Sequence, residues 1–589
     1  MCGIAGVMTK SGEAPAADLL DSMQSALAHR GPDGAGRHIQ GGTGLLQTRL
    51  AIIDLETGDQ PFVVDKIAGV PAALVANGEI YNYRELKAEM VDVRFQTQSD
   101  CEPPLHLYLR QGSGFANQLR GMYAIAIHDA ELDRLVLSRD PFGIKPLYYV
   151  ETPSVFAFAS EPQALIRAGL AGVKLDHRAT HELMQLQFTT GAQTPFAEIR
   201  RVLPGETLVV RAGRIIERHR IDALPAAGVV KLAEAPALEK LDDLFSESVD
   251  IHQRADVPYG MFLSGGIDSS ALLVMMARLN STPVQAFTVG FSGTGVPDER
   301  AHAKHIAGLC GAEHREIEFG ETDFWRLMPR VAAAMDDPVA DYATLPTYKL
   351  AEAVRAAGLK VVLSGEGGDE LFGGYGRYRR AARSRLLGGR RMRASGILKG
   401  LGVLRHDEPD WRDGIAAVEA GLSRHLSGLQ RAQAVDCADW LPNDLLSKLD
   451  RCLMAHGVEG RVPFVDPRLA AFAFRLSDPL KVRRRLGKWL LRKWLERHLP
   501  ESQPMARKRG FTVPVGEWIA KRGDKAGTLV AAQEGIATIC RPEVVRALFR
   551  GTGKQVARAQ WILLFFALWH DHHVMGRRSD GDAFEALAA

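Results

Sequence analysis

From Pro258 to Met276 the chain reads PYGMFLSGGIDSSALLVMM. An apolar run of strand length leads into a Gly-rich turn with small hydroxyls, and an apolar run of helical length follows. Strand, glycine turn and helix in that order open a βαβ unit and predict a parallel α/β sheet. Backbone N–H groups at such a helix start suit phosphate. The pattern GxxxxGK[ST] is absent, so the loop is not a Walker A loop. Farther along, VQAFTVGF (284–291) and LKVVLSGE (359–366) read as further strands between helical patterns, and a mostly helical C-terminal portion follows. A second polar turn, LSGEGGDELFGGY (363–375), leaves its strand as the first one does. Ligands of open α/β sheets bind outside the carboxyl ends of strands, so Ser264–Ser270 and Ser364–Glu370 can face one nucleotide.

Upstream, LPAAGVVKLAEAPAL (224–238) is small and Pro/Ala-rich, as a linker is. The division expected is therefore 1–220, a linker at 221–238, and 239–589. The first segment carries short β-type runs, among them LVANGEIYNY (74–83), MYAIAIHD (122–129) and VFAFAS (155–160), punctuated by turns. Layered antiparallel sheets with a few helices such as Asp18–Ala28 follow from that pattern. The chain's 589 residues carry 73 Lys+Arg against 70 Asp+Glu, a net +3 with 46% hydrophobic residues. This balance excludes a disordered chain and gives no support to nucleic-acid binding. Six cysteines without a CxxC pair make no disulfide framework, and with no secretory signal the expected compartment is the cytoplasm. WILLFFALW (561–569) is far shorter than the roughly 20 residues of a membrane span and reads as a buried helix. The basic stretch Arg377–Arg405 reads as a solvated face, and HDHH (570–573) as a helix end interacting with the dipole rather than a metal site.

Cys2 is chemically special. Once Met1 is removed, one residue holds both a thiol and a free α-amine, whose ordinary pKa of about 7.7–8.0 suits a general base. Alone this carries little. Downstream, however, stand RGPD (30–33), TRLAIIDLETGDQP (48–61), NGEIYNY (77–83), SDCE (99–102), GMYAIAIHD (121–129) and SRDPFGIKPLYY (138–149). In that order they resemble the glutamine amidotransferase domain of asparagine synthetases, which has an N-terminal-nucleophile hydrolase fold. SGGIDSS (264–270) resembles the pyrophosphate loop of ATP pyrophosphatases. LSGEGGDELFGGY, HGVEGRVPFVDPRL (456–469) and GKWLLRKW (487–494) are similar to the synthetase domain of the same family.

The resemblance implies a role for each matching residue. Cys2 attacks the glutamine side-chain amide, with Asn77 and Gly78 forming the oxyanion hole. Arg49 binds the substrate carboxylate, with Leu50, Ala51, Ile52 and Ile53 beside it, and Glu79 and Asp100 take the α-ammonium. Leu263, Ser264, Gly265, Gly266, Asp268, Ser269, Ser270, Val289, Ser364 and Gly365 bind ATP. Glu366 assists acyl-adenylate formation and its capture by ammonia. Lys488 faces the departing pyrophosphate, with Arg492 behind it, and Asp268 and Asp369 hold Mg²⁺. The activity implied is conversion of aspartate, glutamine and ATP to asparagine, glutamate, AMP and pyrophosphate, by a chain without nucleic-acid or membrane partners that forms a homodimer, with an ammonia tunnel between its sites. Two features bear on that assignment. Pro103-Pro104 stand where the family has apolar helix formers, and RKRGFTVPVGEW (507–518) marks a bacterial branch that includes amidotransferases acting on other carboxylates. A non-catalytic homologue is disfavoured because Cys2, Arg49, Asn77, Asp100, Ser264–Ser270 and Glu366 are all present. A β-lactam-forming relative would lack the cysteine.

Overall fold

The computed structural model describes the chain except residues 1, 66–69, 227, 297, 384–388, 407, 507–511 and 579. Strands β1 (Cys2–Thr9), β2 (Gly34–Gln40), β3 (Thr43–Arg49), β4 (Phe62–Asp65), β5 (Pro71–Ile80), β6 (Gly121–Asp129), β7 (Arg134–Arg139), β8 (Tyr148–Glu151), β9 (Val155–Ala159), β10 (Arg200–Arg201), β11 (Glu206–Arg211) and β12 (Arg214–Arg220) form two antiparallel sheets. Their orders are β10-β8-β9-β1-β3-β2 and β12-β11-β7-β6-β5-β4.

Alternation along each strand stacks the sheets. On β1, Ile4 and Met8 enter a core shared with Val75, Ala124, Ala126 and Leu137 of the second sheet. Ala5 and Val7 point the other way, onto Leu20, Met23 and Leu27 of helix Ala17–Leu27. The second sheet turns its outer face to helix Pro103–Gln111. Helix, sheet, sheet, helix is the layered arrangement expected, and helix Ala17–Leu27 begins one residue before its predicted start. Pro103-Pro104 occupy the first turn of their helix, where proline lacks nothing the helix needs.

Helix Glu234–His252 follows, starting inside the stretch read as a linker. Beyond it β13 (Tyr259–Phe262), β14 (Gln285–Gly290), β15 (Glu313–Glu318), β16 (Val361–Leu363) and β17 (Glu459–Arg461) pair in parallel in the order β15-β14-β13-β16-β17. The order reverses between β13 and β16, which makes the gap beyond their carboxyl ends a switch point. Helix Ile267–Leu279 is buried continuously from Ser269 to Met276. Residues Asp436–Leu446 form a π-helix with Pro442 inside it.

WILLFFALW lies in helix Lys554–His573 and is buried throughout. The dipole reading of HDHH gives way, because burial holds His573 down to about 3 and lowers His570 as well. His573 is a neutral ring between the Ala332 carbonyl (3.0 Å) and the Gln163 amide (2.8 Å). The solvated reading of the basic stretch is corrected in part. Arg377 is paired with Asp436 at 2.6 Å and stacked 3.7 Å from the Tyr375 ring. Arg393 lies 4.0 Å from the Trp440 ring and reaches the same aspartate. Part of this stretch, and the start of RKRGFTVPVGEW, fall outside the described residues.

The two halves meet through buried ions. Arg30 donates to both Asp450 oxygens (2.9 and 3.1 Å) and to Glu161 (2.7 Å). Arg451 pairs with Glu161 and Asp336, each at 3.0 Å. Arg120 bridges to Asp466 at 2.6 Å.

Candidate active sites

Strand pairing assembles the first site. The β1–β3 register sets Cys2 opposite Arg49. The main-chain N–H of Cys2 donates to Asn77 Oδ1 on β5 at 3.2 Å, joining the two sheets at this residue. Asn77 is fully buried, and its Nδ2 has no hydrogen-bond partner among the described residues. A buried donor left open is costly, about 1–3 kcal/mol, and marks a place for an acceptor. Gly78 has φ +154°, and a Cβ there would lie 2.0 Å from the Met122 carbonyl on β6. No side chain fits at that position.

Burial pushes the Cys2 thiol up, while the Leu50 N–H and Arg49 pull it back. Gln47 Nε2 also donates to the sulfur at 2.8 Å. Sequence reading missed Gln47, since a glutamine within a strand gives no signal by itself. Arg49 is held by Asp59 at 2.7 Å and by the Asp54 carbonyl. Asp100 accepts the Ile80 N–H at 2.7 Å beside Glu79, whose ion-pair partner is Arg461 at 3.1 Å. Of the neighbouring run, Leu50 faces the thiol, whereas Ala51 and Ile52 reach toward the second half. The Ala51 carbonyl takes Lys360 Nζ at 3.3 Å and the Ile52 carbonyl the Asp256 N–H at 2.9 Å. Ile53 is half-buried against the main core.

The second site is a cavity of about 1170 Å³ at the switch point. Ser264, Gly265, Gly266, Asp268 and Ser269 line it from the end of β13, and Ser364, Gly365, Glu366 and Asp369 from the end of β16. Ser264 and Ser269 hydroxyls meet at 3.0 Å and brace the first turn. Leu263, Ser270 and Val289 are buried behind this wall rather than lining it. Lys488 caps helix Trp489–His498 in a left-handed conformation, φ +59°. A non-glycine residue held there is constrained by its surroundings. Its ammonium lies between Asp268 and Asp369, the latter at 2.8 Å, and these carboxylates hold it charged despite burial. Arg492, also on the lining, donates to the carbonyls of Gly487 and Ala506.

Glu366 is pushed up by desolvation, opposed by Lys448, whose ammonium is 3.7 Å away. Lys448 also pairs with Asp341 at 3.1 Å. Sequence reading missed both. Lys448 is one of three charged residues in LLSKLDRCLM, and nothing there singles it out or points to Asp341.

The arrangement pairs a buried thiol beside an open N–H donor, Asn77 Nδ2, with a cavity at the switch point of a separate sheet. Comparison with known proteins agrees. Residues 1–220 match the family model for a glutamine amidotransferase domain, and residues 240–571 that for asparagine synthase. The chain is 31% identical to asparagine synthetase [glutamine-hydrolyzing] 1 of Bacillus subtilis, covering 98% of both chains. It is 32% identical to a putative asparagine synthetase of Mycobacterium tuberculosis over 98% of this chain and 99% of the relative. With asparagine synthetase B of Escherichia coli the identity is 29%, over 91% and 86%. With its two candidate sites and these matches along nearly its whole length, the chain belongs to the asparagine synthase family.

Proposed function

We propose that this protein makes asparagine from aspartate, ATP and glutamine. The observation that carries the reading is the unpartnered Asn77 Nδ2 beside Cys2, in a chain whose second cavity is walled by two glycine turns at a switch point. Residues 1–220 act as the glutaminase, 221–238 as linker and 239–589 as synthetase. The Cys2 sulfur bonds to the side-chain carbonyl carbon of glutamine, and Asn77 Nδ2 and the Gly78 N–H hold the oxyanion. The Cys2 α-amine takes the thiol proton and passes it to the leaving nitrogen as the C–N bond breaks, so ammonia departs; water then cleaves the thioester to glutamate and restores the thiol. Arg49 grips the α-carboxylate as a planar fork, and Glu79 and Asp100 take the α-ammonium.

In the second cavity the aspartate side-chain carboxylate attacks the α-phosphorus of ATP. The bond to pyrophosphate breaks, and Lys488 receives the departing charge. Ammonia then attacks the acyl carbon, Glu366 accepts its proton, and AMP leaves. Asp268 and Asp369 converge on one ammonium, so this carboxylate pair suits a hard cation shared with phosphate oxygens and would hold Mg²⁺. Bound there, the ion supplies charge neutralisation to the phosphates. A reducing cytoplasm, supported by the free cysteines, and a homodimer belong to the same proposal.

Mass spectrometry of products from ATP, Mg²⁺, aspartate and amide-¹⁵N glutamine tests it. Labelled asparagine with AMP and pyrophosphate is expected. Glutamate without asparagine would overturn the acceptor, and absence of glutamate would overturn the first site.

A further inference from the structure

Glu79 lies on β5 of the first half, yet the cation paired with it, Arg461, comes from β17 of the second. Arg461 is fully buried, and its fork is pinned on three sides. Nε donates to Glu459 at 2.5 Å, and Nη1 to the carbonyls of His252 (2.9 Å) and Arg254 (2.7 Å). Nη2 lies 3.1 Å from Glu79 Oε2, an ion pair without hydrogen-bond alignment, and neither atom has a hydrogen-bond partner among the described residues. The main chain of the same residue reaches the other site, since its carbonyl accepts the N–H of Ser364 at 2.8 Å. One residue thus touches the glutamine pocket through its side chain and the nucleotide turn through its backbone.

We propose that Arg461 is a positioning residue for glutamine: its guanidinium sets the Glu79 carboxylate for the substrate's α-ammonium, so the pocket is complete only with β17 docked. The inference rests on the glutaminase reading above. Glu79 stands in a crowd of acidic groups: Asp100, Glu459 and the thiols of Cys2 and Cys101. Burial and Glu459 push its carboxyl up, and Arg461 opposes both. A buried carboxyl that loses its cation takes up a proton and ceases to attract an ammonium. Glu79, Asp100 and Glu459 gather around this guanidinium, with Lys145 also acting on Glu459, so removing Arg461 strips the principal cation from the cluster. Lysine at this position would keep the charge without the fork.

The test labels Cys2 of the full chain with two reagents. One is a diazoketone analogue of glutamine that keeps the α-amino and α-carboxyl groups, and the other is iodoacetamide, which has neither. In Arg461→Met and Arg461→Lys, labelling by the diazoketone should fall about 10- to 100-fold, while iodoacetamide labelling changes by less than about threefold. Adding Glu79→Gln should cause no further loss, because both changes remove one interaction. Undiminished diazoketone labelling, equal loss with both reagents, or additive losses would each overturn the proposal. If Arg461→Met does not fold, Arg461→Lys carries the comparison. A wild-type chain that the diazoketone does not label would instead refute the glutaminase reading.

Discussion

Replacing Asn77 by alanine should cripple glutamine hydrolysis while leaving the fold nearly untouched. The two effects come from different atoms of one side chain. Oδ1 holds the Cys2 N–H at 3.2 Å, and its loss leaves that buried donor open at a cost of about 1–3 kcal/mol. Nδ2 is buried and unpartnered, so its removal relieves a desolvation cost of about 1–3 kcal/mol. Those terms nearly cancel, and the thermal transition should hardly move. In the transition state the balance differs, because Nδ2 then meets a developing oxyanion. Losing such a donor costs about 10²–10³ in rate, roughly 2.7–4 kcal/mol. Glutamate release at saturating glutamine should show that loss in kcat with KM little changed, as befits an interaction made only in the transition state. A kcat loss below about tenfold, or a loss confined to KM, would refute the oxyanion assignment.

Cys2→Ala and Glu366→Ala should be reciprocal: the first abolishes glutamine use but spares synthesis from free ammonia, and the second damages amide formation but spares glutaminase. Loss of both activities in a folded variant would break the two-site scheme. Lys488→Met removes the cation shared by Asp268 and Asp369, so ammonia-dependent synthesis should fall about 10²-fold or more; retained turnover would remove Lys488 from the pyrophosphate step. Glu102 accepts the N–H groups of Gln96 (2.7 Å) and Thr97 (2.8 Å) and the Thr97 hydroxyl (2.6 Å), which with His106 hold its carboxyl below the ordinary glutamate range despite burial. A depressed carboxyl contributes stability fully above the unfolded value and loses it as pH falls through the folded one. Glu102→Gln should therefore destabilise near neutral pH and flatten the loss below about pH 4.5, as urea titrations at several pH values would show; parallel stability curves would count against this.

Local pattern carried much of the architecture. VFAFAS is the two-faced burial of β9, and the SGGIDSS turn sits at a strand end because glycine and small hydroxyls permit it. The sites were legible where they sit in short motifs, as Asn77-Gly78 and Ser364-Gly365-Glu366 do. Lys448, Gln47 and Arg461 act through contacts that strand pairing and domain docking create, and nothing within a few residues of each announces its partner. The histidines of HDHH were misread for a related reason. Helical position predicts an exposed, dipole-facing end, but the tertiary packing that buries His573 against Ala332 and Gln163 decides its charge. The π-helix at Asp436–Leu446 likewise has no period in the sequence to give it away.

The Arg30–Asp450 bridge spans 420 positions of chain, and this has a consequence for biosynthesis. At roughly 5–20 residues per second, about 20–80 s separate the appearance of the arginine from that of its aspartate. For that interval Arg30 and Glu161 have each other but not Asp450 and Arg451, and Glu79 waits for Arg461. Water keeps these charges satisfied while they wait, as it could not keep an oily interface of equal area. The ionic part of the seam can wait in water, whereas its apolar part, where Phe196 meets Trp569, closes only when the second half arrives.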